Sequence, residues 1–361
     1  MKILHILTDS NIGGAGRYLL SILESYDREQ FQIEVVLPIG SKLAPVVKAA
    51  DTTVIEMPYI QDRSFSFKAV GALYRLLKEK KPDIVHTHAA FSGRVAAKLL
   101  GLRIVHSRHY CIPDGGKNGI MGFVNNHFSH GIIATSPEVE KGLIAAGTKK
   151  EIITTIFNGT PSVRSLSKGE KMAVLARYGI PDNAFVVSQI ARLDPVKGHD
   201  YTLDGAKLLA DNTDIVILLA GDGPQEEHLR KRIKEENIRN IIMTGFVPAV
   251  EEIINITDLQ INASFTETTC LALLEGMSLG VPAVATDGGG NPYVISHGEN
   301  GLIVPYGSGE ALAEAILTIK NDPALYRKMS TAAMDSYNKQ FRADIMTRQV
   351  EELYRKIRKG L

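Results

Sequence analysis

Two glutamates lie eight positions apart in residues 263–290, a stretch that combines a strand end, an apolar helical run and a glycine cluster. Glu267 precedes the helical run, and Glu275 lies two turns into it. Free backbone N–H groups at a helix N-terminus favour anionic ligands, and a carboxylate in the preceding loop could accept hydrogen bonds from sugar hydroxyls. The same pattern also fits an ordinary helix of an α/β domain, with Glu267 near its N-terminus because of the helix dipole.

Two cations follow another predicted strand. Arg192 and Lys197 lie in the sequence ARLDPVKG at residues 191–198, with Asp194 between them. A guanidinium and an ammonium group, combined with a helix N-terminus, would hold a diphosphate. The alternative is a solvated loop with incidental charge, which Asp194 would partly neutralise.

A glycine-rich turn, GGAG at residues 13–16, follows the first predicted strand and precedes a helix that we expect to begin at Arg17. Strand, glycine-rich turn and helix is the arrangement of a phosphate-binding loop. The dinucleotide fingerprint would require glycine where the chain has Leu19, and the Gly-Lys-Ser/Thr of a P-loop does not occur. The turn therefore predicts a close approach of backbone to a ligand, without either fingerprint.

Short apolar strands alternate with helices along both halves of the chain. This alternation predicts two doubly wound parallel-sheet domains of the α/β class, joined by a polar linker at residues 162–171. Ligands bind such sheets at the carboxyl ends of the strands, so we expect the strand ends of the two domains to face each other across a cleft. The polar residues at the predicted strand ends of the first half are His86, Thr87, His88, Ser107, Arg108, His109, Ser136 and Asn158.

Composition and charge exclude several classes of protein. The 361 residues carry a formal net charge of +1, which gives no global attraction to nucleic acid. Residues 1–165 hold 20 Lys and Arg against 14 Asp and Glu, so this half could face an anionic partner or a membrane surface. The two cysteines, Cys111 and Cys270, match no zinc or redox spacing and fit a reducing compartment.

The chain shows no segment that predicts secretion or a membrane span. No apolar run approaches ~18 residues, and the N-terminus leads directly into a strand. We therefore expect a cytoplasmic protein, with peripheral contact with the inner face of a membrane left open. The apolar, glycine-rich residues 115–128 fit a lid or a packing segment better than a contact with lipid or acceptor.

The order and spacing of the motifs resemble one enzyme family over nearly the whole chain. The motifs are GGAGR at 13–17, HTH at 86–88, the strand ending at His109, NG at 158–159, ARLDPVKG at 191–198, GDGP at 221–224, GFV at 245–247, the two glutamates, GVP at 280–282 and GENG at 298–301. In these features the chain is similar to the retaining family-four, or group 1, glycosyltransferases of the GT-B fold, which are nucleotide-sugar-dependent enzymes of bacterial glycoconjugate synthesis.

The resemblance implies a domain organisation. Residues 1–165 would form a Rossmann-like acceptor-binding domain, and residues 166–340 a Rossmann-like domain that binds the nucleotide sugar. The C-terminal helix, within residues 341–361, would pack back on the first domain. The two domains would face a central cleft.

The resemblance also implies a role for each candidate site residue. Four would act in catalysis: Arg192 and Lys197 on the donor diphosphate, and Glu267 and His109 near the transferred sugar. Further donor contacts would come from Gly14, Val247, Thr268, Thr269, Cys270 and Leu271, and from Glu275 on the ribose. Arg17 and His88 would contact the acceptor.

The chemistry implied by the resemblance needs no metal or other cofactor, because cations and helix-end N–H groups would stabilise the leaving nucleotide diphosphate. Retention would follow from departure and attack on one face of the sugar, with the leaving phosphate helping to deprotonate the acceptor. The implied partners are a nucleotide sugar, with UDP as the expected nucleotide, and a glycan or lipid-linked acceptor of polysaccharide or lipopolysaccharide synthesis.

Two positions depart from the family pattern. Thr268, Thr269 and Cys270 stand where the family commonly has Gly-Phe-Gly, and Tyr293 stands where it commonly has an acid. Both departures concern the identity of the donor sugar more than the fold.

Two other functions are compatible with this architecture. A nucleotide-sugar 2-epimerase would need carboxylates arranged for elimination at the sugar, and the sequence presents no such match. A non-catalytic sugar-nucleotide-binding protein would not need the five residues Arg192, Lys197, Glu267, Glu275 and His109 intact. Conversion of the donor without an acceptor would favour the first alternative, and binding without turnover would favour the second.

Overall fold

The computed structural model describes residues 1–111 and 119–360. The chain divides into two compact units, here called the N-terminal domain (Met1–Thr160 with Phe341–Leu361) and the C-terminal domain (Pro161–Gln340). Of the predicted lid segment, residues 115–118 lie outside the described residues, and residues 120–128 form a helix.

Within the described residues, the N-terminal domain is built on a seven-stranded sheet with the order β3-β2-β1-β4-β5-β6-β7. The strands are β1 (Lys2–Leu7), β2 (Gln32–Pro38), β3 (Thr53–Met57), β4 (Ile84–His88), β5 (Arg103–Arg108), β6 (Gly131–Ala134) and β7 (Ile153–Thr155). Neighbouring strands pair in parallel. Helices cover both faces of such a sheet, so most of its strand residues are buried, and the apolar residues among them are the pattern that predicted the strands.

The helices that the described residues of this domain form up to residue 145 are α1 (Gly14–Ser25), α2 (Leu43–Ala49), α3 (Phe67–Lys80), α4 (Phe91–Leu99), α5 (Ile120–Phe128) and α6 (Pro137–Ala145). Apolar residues of α1 and α2 pack on one face of the sheet, and those of α3 and α4 pack on the other. The sheet therefore separates two apolar layers.

The C-terminal domain, all of whose residues are described, has a six-stranded parallel sheet with the order β10-β9-β8-β11-β12-β13. Its strands are β8 (Phe185–Ile190), β9 (Ile215–Ala220), β10 (Ile241–Gly245), β11 (Leu259–Asn262), β12 (Ala283–Thr286) and β13 (Gly301–Val304). Its helices are α7 (Lys168–Arg177), α8 (His199–Leu208), α9 (Glu226–Glu235), α10 (Val250–Asn255), α11 (Leu271–Ser278), α12 (Asn291–Val294), α13 (Gly309–Asn321) and α14 (Pro323–Ser336).

The last helix, α15 (Ala343–Arg358), belongs to the N-terminal domain although it follows the C-terminal domain in the chain. Its apolar side chains, including Val350, Leu353 and Tyr354, are buried in the same layer as α1 and α2. A backbone bridge between Thr160 and Arg342 joins the two segments where the chain re-enters the domain.

Two predicted boundaries were wrong. The helix expected from Arg17 begins at Gly14, so the glycines that were interpreted as a turn lie in its first turn. A Cβ on the buried Gly16 would lie 3.3 Å from the side chain of Leu43, so this glycine lets α1 pack closely against α2. The linker expected at residues 162–171 runs into α7, which begins at Lys168. Ser167 and Glu170 form a capping box at this helix start, a signal that the polar composition of the segment concealed.

None of the helices in the described part of the chain combines the length and the apolar character that a membrane crossing requires.

Candidate functional site

The loop between β8 and α8, residues 191–198, carries both predicted cations. The carboxylate of Asp194 accepts a hydrogen bond from the guanidinium of Arg192 at 2.5 Å and another from the backbone N–H of Val196 at 3.3 Å. These bonds hold a short 3₁₀ turn at Pro195–Lys197. The side chain of Arg192 stays 67% exposed, so its ion pair with Asp194 contributes little and the guanidinium can also bind another anion.

A second loop supports the cation loop by close backbone packing. Gly221 has a φ of +149°, and a Cβ at this position would lie 2.0 Å from the carbonyl oxygen of Ala191. The backbone N–H of Leu193 also donates to the carbonyl of Asp222 at 2.7 Å. Only glycine accepts both this positive φ and this close approach at position 221, so the GDGP sequence positions the cation loop.

Lys197 and Glu267 form an ion pair that joins two loops distant in sequence. Their Nζ and Oε2 atoms lie 2.5 Å apart, and their side chains are 23% and 17% exposed. Burial alone would lower the pKa of Lys197, but the adjacent carboxylate of Glu267 outweighs it, and the pKa is raised above its ordinary value. Lys197 therefore stays an ammonium group at neutral pH, within hydrogen-bond distance of a carboxylate.

The helix that follows Glu267 presents its N-terminus without a polar cap. Cys270 occupies the N-cap position of α11 with no side-chain capping bond, and the first turn contains no acidic residue. Glu275 lies in the second turn and is 6% exposed. An uncapped helix N-terminus favours an anionic ligand. The run Thr268, Thr269, Cys270 and Leu271 thus connects a carboxylate to an anion-favouring helix end.

The thiol of Cys270 is not a nucleophile in this site. Burial, reinforced by the nearby carboxylate of Glu267, raises the pKa of the thiol to about 11. The group is therefore protonated at neutral pH, and the thiolate is the reactive form of cysteine.

The glycine cluster at residues 288–290 packs directly against the loop that carries Glu267. The backbone N–H of Gly290 donates to the carbonyl of Glu267 at 2.6 Å, and a Cβ on Gly290 would lie 1.8 Å from the carbonyl oxygen of Thr268. Any side chain at this position would displace the loop. The cluster that the sequence singled out thus supports the position of the carboxylate.

Val247 follows β10 and is half-buried among apolar residues of the C-terminal domain. Its side chain therefore takes part in packing, and the donor contact that the family resemblance implies for Val247 stays a prediction. Phe246, one residue before it, is 68% exposed.

The N-terminal domain places histidines side by side on adjacent strands. His5 of β1 is in register with His86 of β4, and His88 ends β4. The rings of His86 and His88 stack with centroids 4.4 Å apart, and those of His88 and His109 with centroids 5.3 Å apart. The parallel register of the strands thus brings His109, after β5, next to His88.

Hydrogen bonds link these side chains into one row. His109 Nε2 lies 2.9 Å from His88 Nδ1, and His88 Nε2 lies 3.0 Å from His5 Nδ1. His5 Nε2 lies 3.3 Å from the hydroxyl of Tyr354 on α15, which lies 2.5 Å from His86 Nδ1. At the end of the row, His86 Nε2 lies 2.8 Å from the Oγ of Ser107.

Burial keeps these histidines neutral. Desolvation lowers the pKa of His5 to about 3 and, together with the charge of Arg108, lowers that of His109 to about 4. The pKa values of His86 and His88 are also lowered well below the ordinary value, first by burial and then by neighbouring histidines. A neutral imidazole has one N–H donor and one acceptor nitrogen, so this row can be satisfied without any charge.

The acceptor contacts and the glycine contact predicted in this domain remain predictions. His88 is 2% exposed, and both of its ring nitrogens lie within hydrogen-bond distance of other histidines, so it is placed to support His109. Gly14 is exposed and Arg17 is partly exposed, both in the first turn of α1.

Two members of the row, His5 and Tyr354, were missed by sequence reasoning. His5 falls within a short apolar strand, where a lone histidine is most simply a buried structural residue. Tyr354 lies 349 positions away on a basic helix. A polar residue inside an apolar strand was the available signal, since a buried polar group needs a partner.

The comparisons with known proteins follow the same division of the chain. The family model "Glycosyltransferase Family 4" matches residues 12–164, and "Glycosyl transferases group 1" matches residues 172–335. N-acetyl-alpha-D-glucosaminyl L-malate synthase of Bacillus anthracis is 25% identical over 332 residues, covering 87% of this chain and 85% of that protein. The UDP-Gal:alpha-D-GlcNAc-diphosphoundecaprenol alpha-1,3-galactosyltransferase of Escherichia coli is 26% identical over 355 residues, covering 90% and 89%.

A solved structure shares the fold at lower identity. HepE of Anabaena, crystallised with UDP-glucose, superposes with a TM-score of 0.88 at 22% identity, covering 99% of this chain and 100% of that one. The two parallel Rossmann-like sheets, the family models on both halves and the full-length relatives agree. The chain therefore belongs to the family-four, group 1 glycosyltransferases, enzymes of the GT-B fold.

Proposed function

We propose that this glycosyltransferase moves a sugar from a UDP-sugar to a glycan or lipid-linked acceptor in cell-envelope polysaccharide or glycolipid synthesis, and that it retains the anomeric configuration. The observation that carries the proposal is the ion pair between Lys197 and Glu267, whose Nζ and Oε2 atoms lie 2.5 Å apart. Glu267 lies in the loop that leads to the N-terminus of α11, where no side chain caps the helix. A cation and helix-end N–H groups suit a diphosphate, and a carboxylate suits sugar hydroxyls.

Stabilisation of the leaving group is the main task of the proposed site. As the bond between the anomeric carbon and the diphosphate oxygen breaks, negative charge develops on the diphosphate. Lys197, Arg192 and the N–H groups of α11 would stabilise that charge, and loss of one such donor typically costs about 2.7–4 kcal/mol in the transition state. We propose that these groups act without a metal ion.

Retention is proposed to occur by departure and attack on the same face of the sugar. The acceptor hydroxyl forms the new bond to the anomeric carbon, and its proton passes to an oxygen of the departing diphosphate. The protonated thiol of Cys270 and the pairing of Glu267 with Lys197 both disfavour a covalent intermediate. A glycosyl adduct trapped on Glu267 or His109 and detected by mass spectrometry would contradict this route.

The remaining roles follow the family resemblance. Glu275 would hold the ribose hydroxyls, and the backbone of Val247 would contact the base. The backbones of Gly14 and of residues 268–271 would contact the donor, and His109 would contact the transferred sugar. Arg17 and His88 are proposed on the acceptor side, His88 through its hydrogen bond to His109.

The choice of UDP and of a lipid-linked acceptor has support from the relatives. The Escherichia coli relative is named for UDP-Gal and for an acceptor on diphosphoundecaprenol, and HepE was crystallised with UDP-glucose. These facts concern those proteins. They make UDP-sugars the first donors, and polyprenyl-diphosphate sugars the first acceptors, to test with this chain.

Thermal unfolding with UDP, GDP and ADP, each free and as a sugar conjugate, tests the donor site. A ligand at ~100 times its dissociation constant adds about 2.7 kcal/mol of stability, which is a clear rise in melting temperature. We expect UDP and one UDP-sugar to give that rise, and Lys197→Ala to abolish it.

Lys207→Ala is the matched control, because Lys207 also pairs with a glutamate of the C-terminal domain, Glu236, at 2.9 Å. It should keep the full response to UDP. No response to any nucleotide at millimolar concentration, or an equal loss in both variants, would contradict the proposed donor site.

Turnover separates the proposed reaction from its alternatives. The α anomer of the product, identified by NMR coupling constants after transfer from an α-linked donor, would support retention. Transfer that persists in EDTA would support the metal-free route. Conversion of the donor without an acceptor would favour an epimerase, and nucleotide binding without any turnover would favour a binding protein.

A further inference from the structure

The row of hydrogen bonds in the N-terminal domain uses every ring nitrogen of three buried histidines. We call it the histidine chain; in order, its members are His109, His88, His5, Tyr354, His86 and Ser107. Each contact between neighbours is between 2.5 and 3.3 Å. All six residues come from a single compact unit, although Tyr354 lies on the helix that follows the other domain in sequence.

A row of neutral imidazoles has only two consistent proton arrangements. Each ring donates through one nitrogen and accepts through the other, so the direction chosen at one bond sets the direction of the next. In this geometry the two arrangements place the proton on Nε2 of all four histidines or on Nδ1 of all four. A mixed arrangement would leave two donors or two acceptors facing each other in the interior, which carries a desolvation cost.

Tyr354 is the member that can choose between the two arrangements. Its hydroxyl lies 2.5 Å from His86 Nδ1 and 3.3 Å from His5 Nε2. The shorter contact is the one expected for a phenol that donates to an imidazole nitrogen, since O–H donors make the shorter bonds. The tyrosine oxygen then accepts from His5 Nε2–H.

We propose that Tyr354 of the C-terminal helix sets the direction of the histidine chain and thereby fixes His109 as the Nε2–H tautomer, with Nδ1 as a hydrogen-bond acceptor. In this role Tyr354, His5 and His88 are positioning residues. The consequence for catalysis rests on the proposed function, which assigns to His109 a contact with the transferred sugar. An unprotonated Nδ1 can only accept a hydrogen bond, whereas Nδ1–H would donate one, so the tautomer decides what the ring can offer to the sugar side of the site.

The alternative occupant of this cluster is a metal ion. Among the described residues, His5, His86 and His88 offer ligand atoms that lie within 4.8 Å of one another, and their neutral rings could bind a metal. However, each of their six ring nitrogens already faces another member of the chain. Metal binding would break those hydrogen bonds, so the arrangement favours the histidine chain over a metal site.

Tautomers in the unaltered protein give the first test. Long-range ¹H–¹⁵N NMR of ¹⁵N-histidine-labelled protein at pH 7 distinguishes Nε2–H, Nδ1–H and imidazolium rings. We expect His5, His86, His88 and His109 all to be neutral Nε2–H tautomers, unchanged by Zn²⁺ or EDTA. An Nδ1–H or charged ring among the four, or a spectrum that changes with Zn²⁺, would overturn the proposal.

The variant Tyr354→Phe removes the hydroxyl while keeping the ring that packs in the core. It leaves His5 Nε2–H without an acceptor, so reversal of the segment from His5 to His109 becomes favourable. We expect the tautomer ratio of His109 to shift toward Nδ1–H by on the order of tenfold. Tyr326→Phe, which removes a phenol hydroxyl from the C-terminal domain, is the control and should leave the His109 spectrum unchanged.

Kinetics then separate this proposal from the proposed function. With the donor found by the nucleotide screen, Tyr354→Phe should lower kcat by on the order of tenfold and leave the donor KM unchanged, because the effect acts on the reacting sugar and not on the diphosphate. An unchanged tautomer ratio overturns the histidine chain, whatever the activity. A shifted ratio with unchanged kcat overturns its catalytic role, and a wild-type protein without transfer activity contradicts the proposed function alone.

Discussion

The two domains share one topology and use it in opposite ways. Each sheet runs outward from its first strand in the same order, β3-β2-β1-β4-β5-β6 in one domain and β10-β9-β8-β11-β12-β13 in the other. Within its strands and just after one of them, the N-terminal domain has buried, neutral histidines joined by hydrogen bonds. The C-terminal domain instead has a paired ammonium and carboxylate in the loops beyond the strands.

The difference follows from where the polar groups lie. His5, His86 and His88 lie within the strands, where covering helices exclude water, so a charge there would be costly and the rings stay neutral. Lys197 and Glu267 lie in loops and pair with each other, and the adjacent carboxylate raises the pKa of Lys197 despite its burial, so the ammonium group persists. The same fold thus offers a neutral, directional hydrogen-bond site and a charged, anion-binding site. Four predictions test this contrast, from the largest expected effect to the smallest.

Acid should destabilise the N-terminal domain more than the C-terminal domain. The pKa of His5 is lowered to about 3 and that of His109 to about 4, from 6.5, with His86 and His88 also lowered. As the pH falls from about 6.5 to about 4, the unfolded chain binds protons that the folded chain does not, so stability is lost. Each histidine that stays neutral in the folded chain while it is protonated in the unfolded chain removes on the order of 1 kcal/mol of unfolding free energy per pH unit.

Hydrogen exchange at pH 7 and pH 5, corrected for intrinsic rates and compared domain by domain, measures this loss. The C-terminal domain serves as an internal control, because His199 is its one histidine with a resolved lowering of pKa, to about 4. Equal loss of protection in the two domains would contradict the predicted difference.

Glu267→Gln should reduce transfer strongly and spare nucleotide binding. It removes the charge that raises the pKa of Lys197, and it replaces a carboxylate acceptor for sugar hydroxyls with an amide. We expect kcat to fall by roughly 10²–10³-fold, as for loss of one preorganised transition-state contact, with the Kd for free UDP unchanged or lower. Steady-state kinetics and calorimetry measure both. Glu236→Gln is the control for removal of a paired glutamate, and equal kinetic losses would exclude a specific role for Glu267.

Gly290→Ala should disturb the charged site through packing. Its Cβ would lie 1.8 Å from the carbonyl oxygen of Thr268, so the loop that carries Glu267 must move. Overpacking of this kind costs about 1–3 kcal/mol in unfolding free energy, and we expect transfer activity to fall as well. The control is Gly169→Ala on α7, where a Cβ meets nothing within 4 Å. Urea unfolding that gave equal stability for both variants would contradict the packing argument.

Arg192→Lys should have the smallest effect. The substitution keeps the charge but loses the planar fork that binds two phosphate oxygens at once. Because the side chain is 67% exposed, we expect KM for the donor to rise by about tenfold or less, with little change in stability. A loss as large as that predicted for Lys197→Ala would show that the exposed guanidinium, and not the buried ammonium, dominates donor binding.

Much of the fold could be predicted because it depends on local pattern. The alternation of short strands with helices in both halves, and the two parallel sheets it predicts, were confirmed because buried strands and amphipathic helices leave a periodic pattern in the sequence. The start of α1 was wrong, since the packing of Gly16 against Leu43 depends on a contact outside the segment. The start of α7 was wrong because a polar composition was given more weight than its capping box.

The candidate site could be predicted only in its individual residues. Arg192, Lys197 and Glu267 were identified from residue type, loop position and family resemblance, and their placement at strand ends follows from the rule for parallel sheets. Their pairing was not predicted: the Lys197–Glu267 contact spans 70 positions, and no periodicity relates the two.

The sequence by itself determined the fold class, the two-domain α/β pattern and the side chains available for chemistry, because these depend on hydrophobic periodicity and residue type. The tertiary structure decided which of those side chains act together. Strand register set His5 beside His86, and α15 brought Tyr354 to both of them from 349 positions beyond His5. Burial then made the histidines neutral, while pairing with Glu267 kept Lys197 charged, since the cost of a charge depends on the surroundings that only the folded chain creates.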